Sequence, residues 1–469
     1  MNPRTRKEHD LLGERDVPAD AYYGIQTLRA TENFHISGIR LGTYPAFIRS
    51  LAYVKKAAAI ANRELGLLSQ VISDAIIRAC DEILSGKYHD QFVVDMIQGG
   101  AGTSTNMNAN EVIANVALET LGYEKGRYDV VHPNNHVNLC QSTNDAYPTA
   151  IRLTLIMKMR LLVSSMEYLK AAFEQKAQEF YDVIKMGRTQ LQDAVPMTLG
   201  QEFSAYAVML GEDIERVKEA ESLVREINLG ATAIGTGLNA HPDYSPLVTS
   251  NLRDLTGIDV LSAPNLIEAT QDSGVYVQLS GVLKRVAVKI SKICNDLRLL
   301  ASGPRCGLNE INLPPMAPGS TIMPGKVNPI IPEVVNQVAY FVIGNDVTVS
   351  FAAEAGQLEL NVMEPDIAFG LFNSLVALRR ASRTLADRCI LGITANRDRC
   401  REYVESSIGL VTALNPILGY ERCTEIAHEA LESRRSVCDI VLEKGYLKKE
   451  QMDDILSPEN MIKPRWTEQ

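Results

Sequence analysis

Tryptophan occurs once in the 469 residues and histidine only seven times. No histidine pair reads as a metal-ligand pair, and His136 lies in a polar loop, where it reads as solvent-facing or loop-capping. The eight cysteines (Cys80, Cys140, Cys294, Cys306, Cys389, Cys400, Cys423 and Cys438) are scattered, with no C-x-x-C pair. They read as free, mostly buried thiols and not as a zinc or redox site. Positive charge is in deficit too: 47 Lys and Arg against 57 Asp and Glu give a net charge of −10. Such a chain has no overall field to draw in nucleic-acid phosphates, so no nucleic-acid partner is expected, and an anionic substrate must be met by a local positive site. No apolar run reaches the ~20 residues of a membrane span. The opening Met1-Asn2-Pro3-Arg4-Thr5-Arg6-Lys7-Glu8 and the following Asp10 to Asp16 lack the apolar core of a secretory signal. No membrane partner is expected, and the cytoplasm is the expected location.

Several chemical motifs are missing as well. No G-x-G-x-x-G follows a strand, Gly325-Lys326 is followed by Val327 outside P-loop spacing, His428-Glu429 lacks the second histidine of a zinc-protease helix, and there is no G-x-S-x-G elbow. Nucleotide, flavin and zinc chemistry are disfavoured, and no metal site is expected. Strand signals are sparse, and segments 229–240 and 255–265 read as connectors.

What is present is helical periodicity. Length predicts one to three domains, and 46% hydrophobic with 22% charged residues is the composition of a globular chain. Apolar residues recur every three to four positions from Ile151 through Leu155, Met159, Leu162, Met166, Leu169, Phe173 and Ala177 to Phe180. Similar runs go from Phe203 to Ile227, from Leu279 to Leu300, and from about Pro332 through Val342 and beyond. Each run predicts a helix of about 30 residues or more, against a mean near 12. The expected fold is all-α, in three helical domains. These are a mixed N-terminal domain (1–143), a central long-helix bundle (144–395) and a small C-terminal domain (396–469) that ends in a loose tail. The faces carry more apolar surface than one intrachain core needs, which predicts a symmetric oligomer.

Four loops look functional. Gly303 to Pro329 holds six prolines and four glycines in 27 residues and joins two long helices. A loop of that length and composition reads as a lid or binding loop, or as a Pro-rich connector. Gly319 and Gly325 bracket Ser320, Lys326 supplies a cation, and Asn328 can donate two hydrogen bonds. Gln98 to Asn108, Gln141 to Asp145 and Gly187 to Asp193 are dense in Ser, Thr, Asn and Gln. Such stretches present hydroxyls, amides and free helix-start N–H groups to carboxylates or phosphates, and each taken singly also reads as plain helix capping.

Gly319-Ser320-Thr321-Ile322-Met323-Pro324-Gly325-Lys326-Val327-Asn328-Pro329 closely resembles the signature loop of the aspartase/fumarase superfamily, normally G-S-S-x-M-P-x-K-x-N. The Gly-Gly-Ala-Gly-Thr-Ser stretch at 99–104, Gln141-Ser142-Thr143-Asn144-Asp145 and Gly187-Arg188-Thr189-Gln190-Leu191-Gln192-Asp193 resemble its other shared regions, in order, and the likeness spans essentially the whole chain. Within the superfamily the chain looks like the aspartases. Gln190 stands where fumarases usually carry His, and Met363-Glu364 stand where they tend to have an aromatic and then a basic residue. One departure is Thr321 in place of the second signature Ser, which keeps the hydroxyl and adds a stiff β-branch.

The resemblance implies reversible elimination of ammonia from L-aspartate to give fumarate. The Cβ proton becomes removable only when the neighbouring carboxylate takes the charge as an enediolate, so the site must favour that dianion above the ground state. Carried over residue by residue, Ser320 is the base that takes the Cβ proton. Lys326 and backbone N–H groups between Gly319 and Gly325 stabilise its alkoxide. Thr103, Ser142, Thr143, Thr189, Lys326 and Asn328 hold the substrate's polar groups, and Asn144 helps bind the amino group. Gln190 is a neutral hydrogen-bonder where a general acid could stand, with Glu333 as its expected partner. Ammonia leaves from an already protonated amine, so the missing acid fits deamination better than dehydration. The resemblance further implies a homotetramer with active sites shared between three subunits and no required cofactor. Some similar aspartases are activated by divalent metal, and nothing in the sequence places such a site. The alternatives are a fumarase or another fumarate-releasing lyase of the superfamily, argininosuccinate and adenylosuccinate lyases ranking lower, and a non-catalytic protein that kept the fold, as lens crystallins did.

Overall fold

The structure, a computed structural model, describes residues 4–461. Met1-Asn2-Pro3 of the opening segment and residues 462–469 of the predicted tail lie outside the described residues. A hairpin of β1 (Thr5–Asp10) and β2 (Gly13–Pro18) opens the chain. It is followed by α1 (Ile25–Asn33), α2 (Pro45–Glu64), α3 (Gln70–Leu84), α4 (Thr103–Thr120) and α5 (Thr143–Glu179). A second hairpin, β3 (Ile184–Thr189) and β4 (Gln192–Thr198), leads into α6 (Leu199–Val224). Then come α7 (Tyr244–Thr256), α8 (Leu266–Gln271), α9 (Gly274–Leu300), α10 (Ile330–Glu354) and α11 (Glu364–Arg388). Short helices from α12 (Arg397–Ser406) to α17 (Pro458–Met461) close it. The remaining strands are two-residue pairings: 226–227 with 261–262, and 311–312 with 394–395. The all-α reading therefore holds for the bulk of the chain, with two hairpins added.

The structure corrects helix lengths. Of the four runs read at about 30 residues or more, only α5 reaches that, with 37; α6, α9 and α10 have 26, 27 and 25. The fourth run stops at Glu354 because the Asn361 amide donates to the carbonyls of Ala352 and Ala353, and α11 then starts afresh. Gly187–Asp193, read as a polar break between helices, is the turn of the β3–β4 hairpin. The strand escaped notice because Ile184, Lys185, Met186 and Gly187 are all buried, so no in–out alternation marks it. His136 takes the capping option: its Nδ1 accepts the His132 N–H at 2.9 Å. Among the described residues no helix is long and apolar enough to cross a membrane.

The chain divides into two compact units, each made of three segments: 1–162, 216–284 and 341–377, and 163–215, 285–340 and 378–469. The dividing points fall inside α5, α6, α9, α10 and α11. In the first unit Phe47 on α2 packs edge-on against Tyr147 and Phe372, with ring centroids 5.6 and 5.1 Å away, and Ser50 meets Thr154 across α2 and α5. In the second, Phe173 on α5 packs on Phe203 and Tyr206 of α6, and Asn336 on α10 donates to Ser291 on α9. The closing helices build their own core around Val404, Leu414, Ile426 and Ile440, onto which Ile184 and Met186 of β3 pack.

Candidate active site

The predicted site residues fall into two groups, one on each unit, and each group is described by itself. In the first, Gly100, Ala101 and Gly102 all take left-handed φ angles (91°, 56° and 86°) and turn the chain into α4. Gly102 has no alternative: a Cβ there would lie 2.6 Å from the Tyr147 ring. This puts Thr103 at the first position of α4, exposed. Thr143 is the first residue of α5. The two helix starts meet, because Asn106 Nδ2 donates to Thr143 Oγ1 at 3.1 Å. Each start leaves N–H groups without intrahelical partners and carries the positive end of a helix dipole, so the place favours a carboxylate.

The loop into α5 is fixed from below. Ser142 N donates to Asp145 Oδ1 at 3.0 Å, while Gly230 N and Thr232 N donate to Asp145 Oδ2. Burial pushes the Asp145 carboxyl up to about 7, against the pull of those bonds. Burial likewise brings the Lys55 ammonium down to about 7, opposed by the Asp145 charge. Lys55 Nζ donates to Asn138 Oδ1 and Gln141 Oε1, both at 2.9 Å. Ser142 Oγ accepts the Asn144 N–H, and the Asn144 amide donates to the Ala233 carbonyl at 2.7 Å. Pro148 lacks the N–H that would bond the Asn144 carbonyl, and the Asn228 amide donates to that carbonyl instead at 3.0 Å.

On the second unit, Thr189 pairs with Gln192 across a two-residue turn in which Gln190 and Leu191 both have positive φ (54° and 62°). Such turns favour Asn-Gly, and here neither residue is one that takes the conformation cheaply. Thr189, Gln190 and Leu191 are exposed at the tip. The hairpin is anchored by Glu310, which is fully buried and lies 2.8 Å from Arg188 Nη2 and 3.2 Å from Lys185 Nζ. Lys185 also meets Glu202 at 2.8 Å. Among the described residues no hydrogen bond joins Gln190 to Glu333.

The signature loop closes on itself. Gly319 N donates to the Lys326 carbonyl at 2.6 Å, the Asn328 amide donates to the Gly319 carbonyl at 2.7 Å, and Pro318 bridges Val327. Gly325 turns with φ 83°. Within this ring Ser320 Oγ accepts two backbone N–H groups, from Ile322 at 3.2 Å and Met323 at 3.0 Å. Hydrogen bonds received by an oxygen favour its deprotonated form. Lys326 is exposed, and no carboxylate pairs with it among the described residues.

Residues 13–344 match a family model described as lyase, and residues 410–463 match one described as fumarase C C-terminus. The chain belongs to the aspartase/fumarase superfamily of lyases. The lyase is 62% identical over 459 residues to the aspartate ammonia-lyase of Helicobacter pylori, covering 98% of each chain. Its fold superposes with a TM-score of 0.96 on a Brucella melitensis structure described as fumarate lyase:delta crystallin bound to cobalt, at 55% identity, covering 98% of the lyase and all of that chain. A class II fumarase from Schistosoma mansoni superposes at 0.92 with 37% identity, covering 98% and 99% of the two chains.

Sequence reading did not single out Lys55, Asn106, Asn138 or Glu310. Asn106 lies in a stretch already marked as functional, but its partners Asn138 and Thr143 are 32 and 37 residues away. A buried Lys or Glu carries no signal until its partner is known.

Proposed function

We infer that this lyase removes ammonia reversibly from L-aspartate to give fumarate. The observation that carries the reading is Ser320 Oγ seated between two backbone N–H groups inside a closed loop, a hydroxyl prepared to exist as its alkoxide. The alkoxide takes the Cβ proton, and the electron pair of the C–H bond enters the adjacent carboxylate as an enediolate. The pair then returns to form the Cα–Cβ double bond as the C–N bond breaks and ammonia leaves. Thr103, Ser142, Thr143, Thr189, Lys326 and Asn328 bind the carboxylates, Asn144 and Gln190 attend the amino group, and Glu333 supports Gln190.

The chemistry needs no cofactor, and divalent metal acts only as an activator. The residues of the two groups complete one another across chains in a homotetramer, each site being shared between three subunits. Supporting this, α10 exposes Val334, Tyr340, Phe341, Val347 and Phe351, an apolar surface for copies of the chain. The division at 143/144 and 395/396 remains as a division by role, with the central region supplying the bundle. The enzyme works in the cytoplasm. The second reading, a fumarase, draws on the likeness to the Schistosoma mansoni enzyme.

Fumarate formation, followed by ultraviolet absorbance from L-aspartate and L-malate in parallel, tests the reading. Turnover on aspartate alone, lost about 1000-fold in Ser320→Ala, is expected. Turnover on malate alone would overturn the substrate, and full activity in Ser320→Ala would overturn the base.

A further inference from the structure

A hydroxyl can give or take a hydrogen bond, and the network behind Thr143 decides which. The Asn138 amide is oriented at both ends: its Nδ2 donates to the Gln141 backbone carbonyl at 3.0 Å, and a carbonyl can only accept. Its Oδ1 must therefore be the acceptor. Three donors converge on that oxygen: Lys55 Nζ at 2.9 Å, Asn106 Nδ2 at 3.1 Å and Asn110 Nδ2 at 3.2 Å. Asn106 must then present its NH2 group to this side, since reversing the amide would set two oxygens against each other. The same NH2 group reaches Thr143 Oγ1 at 3.1 Å. Thr143 thus accepts from Asn106, and no described residue accepts its hydroxyl hydrogen. Asn106 is 1% exposed, and its Oδ1 has no partner, so nothing else holds the amide in another orientation.

We propose that Asn106 is a positioning residue that fixes the polarity of the Thr143 hydroxyl, so that Thr143 offers its hydrogen outward to a substrate carboxylate. This rests on the reading of Thr143 as a carboxylate-binding residue. Asn106 touches no reacting atom. It makes Thr143 a donor before substrate arrives, so none of the binding interaction is lost to turning a hydroxyl that already serves an internal acceptor.

A double-mutant cycle in the full-length protein tests this, with Asn106→Ala, Thr143→Val and the pair. It is read as the Kd for fumarate by calorimetry and the KM and kcat for L-aspartate. A hydrogen bond to a charged group predicts that each single change weakens fumarate binding and raises KM about tenfold, with kcat within about threefold. The pair is expected to be little worse than Thr143→Val alone, because Asn106 acts through the hydroxyl that Thr143→Val removes. A purely structural Asn106 would give effects that multiply, and that result, or an unchanged Kd in Asn106→Ala, overturns the proposal. Should Asn106→Ala fail to fold by circular dichroism, Asn106→Asp keeps the shape and carries the same cycle. Its carboxylate turns the Thr143 hydrogen inward, so its effect must shrink in the Thr143→Val background, and an undiminished effect overturns the proposal. Wild-type protein that binds fumarate but does not turn over L-aspartate would sink the activity and leave the cycle on Kd intact. Wild-type protein that binds no fumarate overturns both.

Discussion

The side-chain amide of Asn328 donates to the main-chain carbonyl of Gly319 at 2.7 Å, tying the end of the signature loop to its beginning. At Gly319 a Cβ would lie 2.7 Å from the Lys326 carbonyl oxygen and 2.9 Å from Asn328 N. Gly319→Ala must open the ring and displace Ser320 from its two N–H donors. We expect kcat on L-aspartate to fall about 100-fold, the cost of a misplacement near 1 Å, while the melting temperature hardly changes. Unchanged kcat would show that loop closure is irrelevant.

The Gln190–Leu191 turn stores strain where the second residue is an exposed leucine with φ 62°. Leu191→Gly relieves about 1–2 kcal/mol of left-handed strain and gives back about 0.5–1 kcal/mol through a freer unfolded chain. The expected net is a gain of about 0.5 kcal/mol, seen as a slightly higher melting temperature in calorimetry. A lower one would mean that the leucine side chain packs in the assembled protein.

Glu310, fully buried, faces two cations. Glu310→Gln leaves Arg188 without a carboxylate, while Lys185 keeps Glu202. Stability should fall by about 3 kcal/mol, as for other broken buried pairs. Removing the stranded charge as well, in Glu310→Gln with Arg188→Met, should recover part of that loss in denaturant melts. A double variant less stable than the single would contradict the ion-pair account.

Burial pushes the Glu364 carboxyl up to about 8 from 4.5, opposed by the Arg152 charge. The folded chain then holds a proton that the unfolded chain releases near its ordinary value. The stabilising contribution of neutral Glu364 is complete below that value and is lost as pH rises through about 8. Glu364→Gln does not titrate, so its stability relative to wild type should rise between pH 5 and pH 8, on the order of 3 kcal/mol at most. A constant difference across that range would place an ionised Glu364 in the folded protein.

The signature loop could be read from sequence because its prolines and glycines are local and Ser320, Lys326 and Asn328 sit within nine residues. The long helices could be read because one face repeats over many turns. The β3–β4 hairpin could not, because burial of both faces of β3 erases the period of two. The network of Lys55, Asn106 and Asn138 was hidden for another reason: its members come from α2, α4 and a loop, and only the fold brings them together.

Each compact unit draws its segments from three separated parts of the chain, and the last segment of the first unit ends at residue 377. During synthesis, then, the ribosome must pass residue 377 before either unit has all its pieces. The early helices wait with apolar faces uncovered until the later segments arrive, the condition in which a growing chain is prone to aggregate. A fragment ending anywhere before residue 377 has no complete unit to fall back on, which limits where this gene can be split or truncated and still yield folded protein.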